Sequence, residues 1–317
     1  MANLPSGGPD RGGSPAAPVR IPRRAASLAN LQTRVEIEEG RSHFEVVYTS
    51  PIWAQVSLPN SDQKDATLWT RKNGALAMTV QAGAGPDETG RMVQKPLPFG
   101  VIPRQALVYM VTYAVRNGER TIPLGDSMHD FMRTVGLADG GQNRRNVIKQ
   151  MEALALSRIS VSTYEQGADG SWGYQLRQLP VTEGLDLWVN GKSDTPGLWG
   201  STAILAPKFF ASIIEGKDAM PVYLEDLRHL KGSPLRFDLY LWLVYRLWSL
   251  RKLTRVTWVQ LHDQFGQGYA RQLDFKKAFK LALTDVLGVY RDANVTVTDL
   301  GIELRHSKRH VAAIDRR

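Results

Sequence analysis

The hydrophobic pattern of the chain is clearest over residues 96–117. Apolar side chains recur at spacings of three and four from Leu107 to Ala114, which predicts an α-helix. Further apolar residues flank this stripe, so we expect the helix to be buried on more than one side. Pro103 suits the first helical turn, where its missing N–H costs nothing, and Gly118 marks the end of the helix.

Two more helices and a pair of strands are predicted to follow. Ser127 and Asp130 form a capping-box pattern at the start of a second apolar stripe, and Gly136 is a natural C-cap. A short turn leads to a third amphipathic helix over 142–156. Residues 158–181 are rich in β-branched and aromatic side chains around a Gly- and Asp-containing turn, which predicts a hairpin. This order is typical of a winged helix-turn-helix.

The C-terminal third repeats the same plan. Ser233-Pro234 opens a helix that is apolar nearly all round, and a short extended segment and two amphipathic helices follow it. The second helix of each unit carries a similar tetrapeptide, "HDFM" at 129–132 and "HDQF" at 262–265. A strand pair over 294–310 would complete the second unit. We interpret this as an internal repeat of architecture.

The N-terminal region differs from both units. Residues 43–82 are rich in β-branched and aromatic side chains, and Asn73-Gly74 favours a hairpin turn, so we predict strands there and a loop over 83–95. Half of the first 22 residues are Gly, Pro or Ser, a composition that indicates disorder. Residues 191–200 are typical of a linker.

The predicted fold class is α+β, with two winged helix-turn-helix domains in tandem. A disordered basic tail and a β-hairpin region precede them. The predicted boundaries are 1–40 for the tail, 41–190 for the hairpin region with the first winged-helix domain (core 96–182), and 200–310 for the second winged-helix domain.

Charge indicates the class of partner. The chain has 317 residues, a formal net charge of +9 and a pI near 9.7. Such a balance favours a polyanion, either nucleic acid or an acidic membrane surface. Cysteine is absent, which excludes disulfides, thiolate zinc sites and cysteine nucleophiles. The chain shows no signal peptide and no apolar run that could span a membrane, so we expect a cytoplasmic protein.

No catalytic motif is complete. "NGKS" at 190–193 lacks the first glycine of a phosphate-binding loop, and "GAGPDETG" at 83–90 fails as a dinucleotide loop. The six histidines are too scattered for a metal site. We therefore predict that the protein is not an enzyme and needs no metal or other cofactor.

The outer face of each third helix carries the candidate DNA contacts. Arg, Lys, Asn and Gln are the side chains that read base edges in the major groove, and Lys and Arg also bind phosphates. The alternative is a merely solvated polar face. In the first unit the candidates are Gln142, Asn143, Arg144, Arg145, Asn146, Lys149 and Gln150, with Arg158 and Arg177 on the wing. In the second unit they are Arg271, Gln272, Lys276, Lys277 and Lys280, with Arg305, Lys308 and Arg309 on the second hairpin.

Three segments resemble a known family. "LPFGVIPRQALVYMVTYAVRN" (97–117), "RTIPLGDSMHDFMRTVGL" (120–137) and "SPLRFDLYLWLVYRL" (233–247) are similar to signatures of RepA-type plasmid replication initiators. The likeness spans roughly 96–290. It implies binding to direct repeats (iterons) in double-stranded plasmid DNA, melting of adjacent A·T-rich DNA and recruitment of the host initiator and replicative helicase. It also implies a monomer–dimer equilibrium.

Two other functions fit the same elements. A transcriptional repressor would use the same winged helices on DNA. An interaction scaffold would use them on protein, because winged helices serve in both ways.

Overall fold

The computed structural model describes residues 44–125, 128–134, 136–187, 200–215 and 218–311. The predicted tail (1–40), the capping residue Ser127 and residues 191–199 of the predicted linker lie outside these ranges. The described elements pack around a hydrophobic core that draws side chains from both halves of the chain.

Helices and strands are interspersed along the described ranges. The helices are α1 Pro51–Gln55, α2 Val101–Asn117, α3 Met128–Thr134, α4 Gly141–Leu156, α5 Pro207–Ile214, α6 Leu224–His229, α7 Pro234–Leu247, α8 Trp258–Phe265 and α9 Gln272–Val289. The strands are β1 Val46–Thr49, β2 Leu68–Asn73, β3 Leu76–Gln81, β4 Ala84–Pro86, β5 Met92–Gln94, β6 Thr121–Pro123, β7 Arg158–Gln166, β8 Trp172–Gln178, β9 Thr182–Asp186, β10 Thr202–Leu205, β11 Met220–Tyr223, β12 Thr254–Thr257, β13 Val295–Val297 and β14 Gly301–Leu304.

Helix α2 is buried on several sides, as its pattern predicts. The side chains of Leu107, Met110 and Val111 are almost inaccessible to solvent. Gly118 follows the helix in the left-handed conformation (φ 69°), and its N–H donates to the carbonyl of Ala114. Glycine adopts this conformation without a Cβ penalty, which is why the helix ends there.

The first unit has its helices and strands in the predicted order, but the strands pair differently from a self-contained winged helix. Strand β6 pairs antiparallel with β10, and β10 pairs with β9. Strand β10 lies beyond the predicted linker, so the second half of the chain contributes a strand to the sheet of the first.

The hairpin of the first unit joins the N-terminal hairpin in a four-stranded antiparallel sheet of order β2-β3-β7-β8. Met78 pairs with Val161 and Val80 pairs with Ile159 across β3 and β7. Because side chains alternate along a strand, these residues share one face, and that face packs on the core. The turn predicted at Asn73-Gly74 is confirmed between β2 and β3.

Two N-terminal predictions are wrong. Residues 51–55, predicted as part of a strand, form helix α1, because Pro51 occupies its first turn and Trp53 packs into the core. Residues 83–95, predicted as a loop, contain the small hairpin β4–β5.

The second unit follows the predicted order more closely. Helix α7, strand β12 and helices α8 and α9 follow one another as expected. Strands β12, β14 and β13 form a three-stranded antiparallel sheet. Thr257 accepts from the backbone N–H of Gln260, and the Gln260 side chain accepts from the Thr257 N–H, a complete capping box for α8. The second hairpin ends at Leu304, whereas the pattern predicts a strand to position 310.

Buried contacts join the two halves. Strand β1 pairs antiparallel with β11. Arg104 of α2 makes a bidentate ion pair with Asp238 of α7, with N–O distances of 2.7 and 2.8 Å. The same carboxylate accepts from Arg71 at 3.2 Å and from the Ser57 hydroxyl at 2.5 Å. The carboxylate of Asp238 therefore joins segments that are far apart in the sequence.

Candidate nucleic-acid interface

The turn before α4 is organised by one carboxylate. Asp139 accepts from Arg144 through two N–O contacts of 2.8 and 2.9 Å, and it lies 2.8 Å from Nδ1 of His129. Its Oδ1 also accepts from the N–H of Gly140. The bonds from Arg144, then His129 and Gly140, hold the pKa of Asp139 well below its usual range. Arg144 is thus fixed to the turn between α3 and α4.

One polar stripe of α4 faces solvent, with three exposed members and a half-buried Asn146. Gln142, Arg145, Asn146 and Lys149 recur at i, i+3, i+4 and i+7, so they lie along one side of the helix. The Gln142 amide donates to Asn146 at 3.1 Å, and Arg145 donates to Gln142 at 2.9 Å. We call these four residues the α4 stripe. Its amides and cations are the groups that bind base edges and phosphates.

Three of the predicted base-contacting or phosphate-contacting residues of α4 lie outside the α4 stripe. Gln150 was predicted to contact bases, but it is only 3% exposed and accepts from the N–H of Phe99 at 2.7 Å, so that prediction is wrong. The Asn143 amide donates to the carbonyl of Ala138. Together with Arg144, this residue fixes the preceding turn.

The two wing arginines are separated by the pleat of the sheet. Arg158 starts β7 and pairs with Gln81, whereas Arg177 of β8 pairs with Val161. The odd and even positions of β7 face opposite sides, so these two guanidinium groups belong to opposite faces. Both are exposed, but they do not form one patch.

The candidate residues of α9 gather around one indole ring. The ammonium groups of Lys276 and Lys280 lie 5.5 and 5.6 Å from the ring centre of Trp258, within the range of cation–π attraction. The indole N–H donates to the carbonyl of Asp299 in the tip of the second hairpin. Trp258 therefore places two lysines of α9 beside this hairpin.

The other α9 candidates are more separate. Arg271 pairs with Asp274 at 2.7 Å, and Gln272 is exposed at the start of the helix. Lys277 lies on a neighbouring stripe with two exposed leucines, Leu273 and Leu281.

Three basic residues predicted on the second hairpin lie beyond it. Strand β14 ends at Leu304, so Arg305, Lys308 and Arg309 belong to the segment that returns towards the core. Arg305 pairs with Glu303, and the guanidinium of Arg309 lies 4.1 Å from the ring centre of Trp248. They remain exposed cations, but the hairpin does not carry them.

Sequence reasoning missed Asp139 and Trp258 as organisers of these surfaces. A carboxylate just before a helix N-terminus and a Trp just after a strand are both visible in the sequence. Their roles became visible only when the hydrogen bonds and ring contacts were known. Within the described ranges, no helix is long and apolar enough to cross a membrane.

The fold resembles that of a solved structure. The chain is similar to a selenomethionine crystal structure of domains 2 and 3 of RctB, with a TM-score of 0.51 and 13% identity, covering 78% of this chain and 88% of that one. A second crystal structure of RctB domains 2–3 gives a TM-score of 0.49 and 12% identity over 79% and 88% of the two chains. A comparison with curated proteins found no match.

The family comparison covers the segments that surround this interface. A family model described as plasmid-encoded RepA protein matches residues 97–264. This range contains α2, the α4 stripe, the four-stranded sheet's hairpin β7–β8 and the buried helix α7. The match extends over more than half of the chain, so this protein belongs to the family of plasmid-encoded RepA replication initiators.

Proposed function

We propose that this protein is a non-enzymatic initiator that binds direct repeats in double-stranded plasmid DNA through two winged helices. The observation that supports this most is the repeated placement of polar helices. In both units a basic, amide-bearing helix follows a helix, a short strand and a second helix, and a hairpin comes after it. The family membership of the chain is consistent with this reading.

In this proposal the α4 stripe enters a major groove. Arg and Lys bind guanine edges, whereas Asn and Gln bind adenine edges. Arg144 and Asn143 hold the turn that sets the angle of the helix. The α9 group of Lys276 and Lys280 contributes more to phosphate affinity than to specificity, because an ammonium is a point charge without a fixed fork.

The proposal extends to the cellular process. The protein would help melt adjacent A·T-rich DNA, recruit the host initiator and replicative helicase, and exchange between monomer and dimer in the cytoplasm. Membership of the RepA family supports these steps.

The main experiment is a binding titration on the plasmid's own origin repeats and on scrambled duplex over a salt series. We expect tighter binding to the repeats and a steep loss of affinity with salt. A protein with about 6–10 phosphate contacts loses roughly 10³–10⁵-fold between about 50 and 200 mM salt. Equal affinity for both duplexes at every salt concentration would contradict the proposal.

Paired variants localise the interface. Arg145→Ala with Lys149→Ala removes both cations of the α4 stripe. We expect weaker binding to the repeats and a smaller difference in affinity between the repeats and scrambled duplex. The loss in binding free energy should be about 1–3 kcal/mol for each base that the variant no longer contacts. Lys208→Ala, an exposed lysine of α5, is the matched control and should change little. Unchanged DNA affinity in the double variant would favour a protein-binding scaffold.

A cellular experiment separates initiation from repression. A plasmid that carries only this gene and the repeats should replicate in a suitable host. Specific binding to the repeats without replication would favour a transcriptional repressor.

A further inference from the structure

The four-stranded sheet packs one face of β2, β3 and the start of β7 on the core, whereas β8 is exposed along its whole length. Met78, Val80 and Ile159 cover the inner face and are almost fully buried. The strand residues of the opposite face, which we call the outer sheet face, follow from the register of the four strands. They are Leu68, Thr70, Lys72, Ala77, Thr79, Gln81, Arg158, Ser160, Ser162, Tyr164, Gln166, Trp172, Tyr174, Leu176 and Gln178.

Three aromatic rings of the outer sheet face form an exposed stack. The rings of Tyr164 and Trp172 are 6.3 Å apart with an interplanar angle of 26°. The rings of Trp172 and Tyr174 are also 6.3 Å apart, at 16°. Trp172 is 68% exposed and Tyr174 is 62% exposed. Core packing does not explain rings this exposed, and their near-parallel planes offer flat surfaces to a ligand.

The charge on this face has one sign. None of its fifteen strand residues, all within the described ranges, is Asp or Glu, whereas Lys72 and Arg158 are cations. Neither cation makes an ion pair with a described residue. The remaining polar groups are hydroxyls and amides, which include the mutually hydrogen-bonded Thr70 and Thr79. The face therefore suits an anionic partner that carries both hydrogen-bonding groups and flat apolar rings.

Single-stranded nucleic acid has this combination of properties. Its bases stack on aromatic side chains whatever their sequence, and its phosphates follow basic residues. A double helix hides its base faces within the base stack, so it cannot use the three rings in this way. A second copy of this chain would place one cationic face against another, which lacks charge complementarity.

We propose that the outer sheet face binds single-stranded DNA, with Tyr164, Trp172 and Tyr174 as the stacking platform and Lys72 and Arg158 as phosphate contacts. The choice of DNA over RNA rests on the proposed function, whereas the stacking chemistry does not. None of the three rings belongs to the α4 stripe, so their removal leaves the side chains of that stripe unchanged.

The test uses the full chain and a labelled oligodeoxythymidine of about 15 nucleotides, a length that matches typical sheet-based single-strand sites. Wild-type protein should bind it with a Kd that rises with salt. Trp172→Ala with Tyr174→Ala should weaken binding by at least about fivefold for each ring removed, since stacking is worth about 1–3 kcal/mol per base. Binding to the duplex repeats should stay unchanged.

Matched variants separate stacking from folding. Trp172→Phe keeps an aromatic ring and should retain most of the affinity for the oligonucleotide. For Lys72→Ala with Arg158→Ala, we expect a shallower slope in a plot of log K for the oligonucleotide against log salt concentration. The slope should shrink by about 0.7 for each phosphate that is no longer neutralised. Thermal melts should confirm that each variant is folded, which we expect because all four side chains are exposed.

Three outcomes would overturn this proposal. The first is that wild-type protein does not bind the oligonucleotide. The second is that the double aromatic variant binds it as tightly as wild type does. The third is that this variant only changes the oligomeric state, which would assign the face to a second copy of the chain. Failure of repeat recognition, with aromatic-dependent binding of single strands retained, would contradict the proposed function but not this site.

Discussion

At the residue scale, two carboxylates organise the molecule, and they do so in different environments. Asp139 is at the surface and fixes Arg144 and His129 beside the start of α4. Asp238 is buried and forms ion pairs with two guanidinium groups, those of Arg104 and Arg71. A surface ion pair contributes little to stability, whereas a buried charge that loses its partner is costly. We therefore expect Asp139 to affect binding and Asp238 to affect folding.

Asp139→Asn tests the first of these roles. The substitution removes a negative charge beside the α4 stripe and releases Arg144 from this ion pair, so we expect tighter, less specific DNA binding with a steeper salt dependence. The lowered pKa of Asp139 means that the carboxylate stays charged as pH falls from 7 to about 5. Its contribution is present above the unfolded pKa and is lost only as pH falls through the lower folded pKa.

The measurement is duplex affinity over a salt series at pH 7 and pH 5. Asp130→Asn, at the adjacent helix α3, is the matched control and should have a smaller effect. The role assigned to Asp139 is wrong if its variant distinguishes the repeats from scrambled duplex as well as wild type does.

Asp238→Ala tests the buried centre. Burial lowers the pKa of Arg71 to about 10, against the opposing effect of Asp238, so this guanidinium is still charged at neutral pH. Removing the shared carboxylate would leave two buried cations, and we expect a loss of about 3–5 kcal/mol in the free energy of unfolding.

Denaturant titration gives the measurement, and a surface ion pair between α7 and α9 supplies a control. Asp285 of α9 pairs with Arg236 of α7 at 2.8 Å on the surface. Asp285→Ala should cost less than about 1 kcal/mol. Equal losses in the free energy of unfolding for the two substitutions would show that the buried ion pairs of Asp238 contribute no more to stability than a surface pair does.

At the element scale, α2 and α4 have different tasks. Helix α2 is a scaffold whose apolar side chains are buried on several sides, and α4 buries Val147 and Met151 while it exposes the α4 stripe. Substitutions in α2 should therefore change stability before they change which DNA is bound.

Leu107→Ala tests that division. Leu107 is 2% exposed, and truncation of such a side chain leaves a cavity that costs about 2–5 kcal/mol. Leu273→Ala on α9 is a matched control because Leu273 is 60% exposed, and it should stay within about 0.5 kcal/mol of wild type. Thermal and denaturant melts, with a repeat-binding assay, provide the readout. A variant of Leu107 with full stability and altered sequence preference would refute the scaffold role of α2.

At the scale of the whole molecule, the two units pack together and share sheets. Strand β10 completes a sheet with β6 and β9, and β1 pairs with β11. The buried centre at Asp238 also draws residues from both halves. Each half therefore leaves strand edges and charged groups unsatisfied without the other.

Separate expression of residues 200–317 tests this dependence. We expect the fragment to aggregate or to melt without cooperativity, because β10 and β11 lose their partners and Asp238 loses both arginines. Co-expression with residues 1–199 should recover a soluble complex, measured by size-exclusion chromatography and circular dichroism. A fragment that folds alone with the melting temperature of the whole chain would argue against this coupling.

The sequence by itself determined the local elements and the family. Periods of three and four residues predicted α2, α4, α7 and α9, and Asn73-Gly74 predicted the first hairpin, because backbone preference and side-chain spacing act within a few residues. The same local signals placed the candidate contacts of α4 on an amphipathic helix but did not separate the α4 stripe from Asn143, Arg144 and Gln150. Residues 97–117 and 233–247 carried the resemblance that the family match confirmed.

Only the tertiary structure decided which elements meet. It paired β6 with β10 and β3 with β7. It buried Gln150, whose side-chain oxygen accepts from the N–H of Phe99. It also brought Arg71 and Arg104, from distant segments, to the carboxylate of Asp238. It also aligned three aromatic rings on one open face. The physical reason is that strand pairing and burial depend on contacts between residues far apart in the chain, and the period of a single element does not encode its partner.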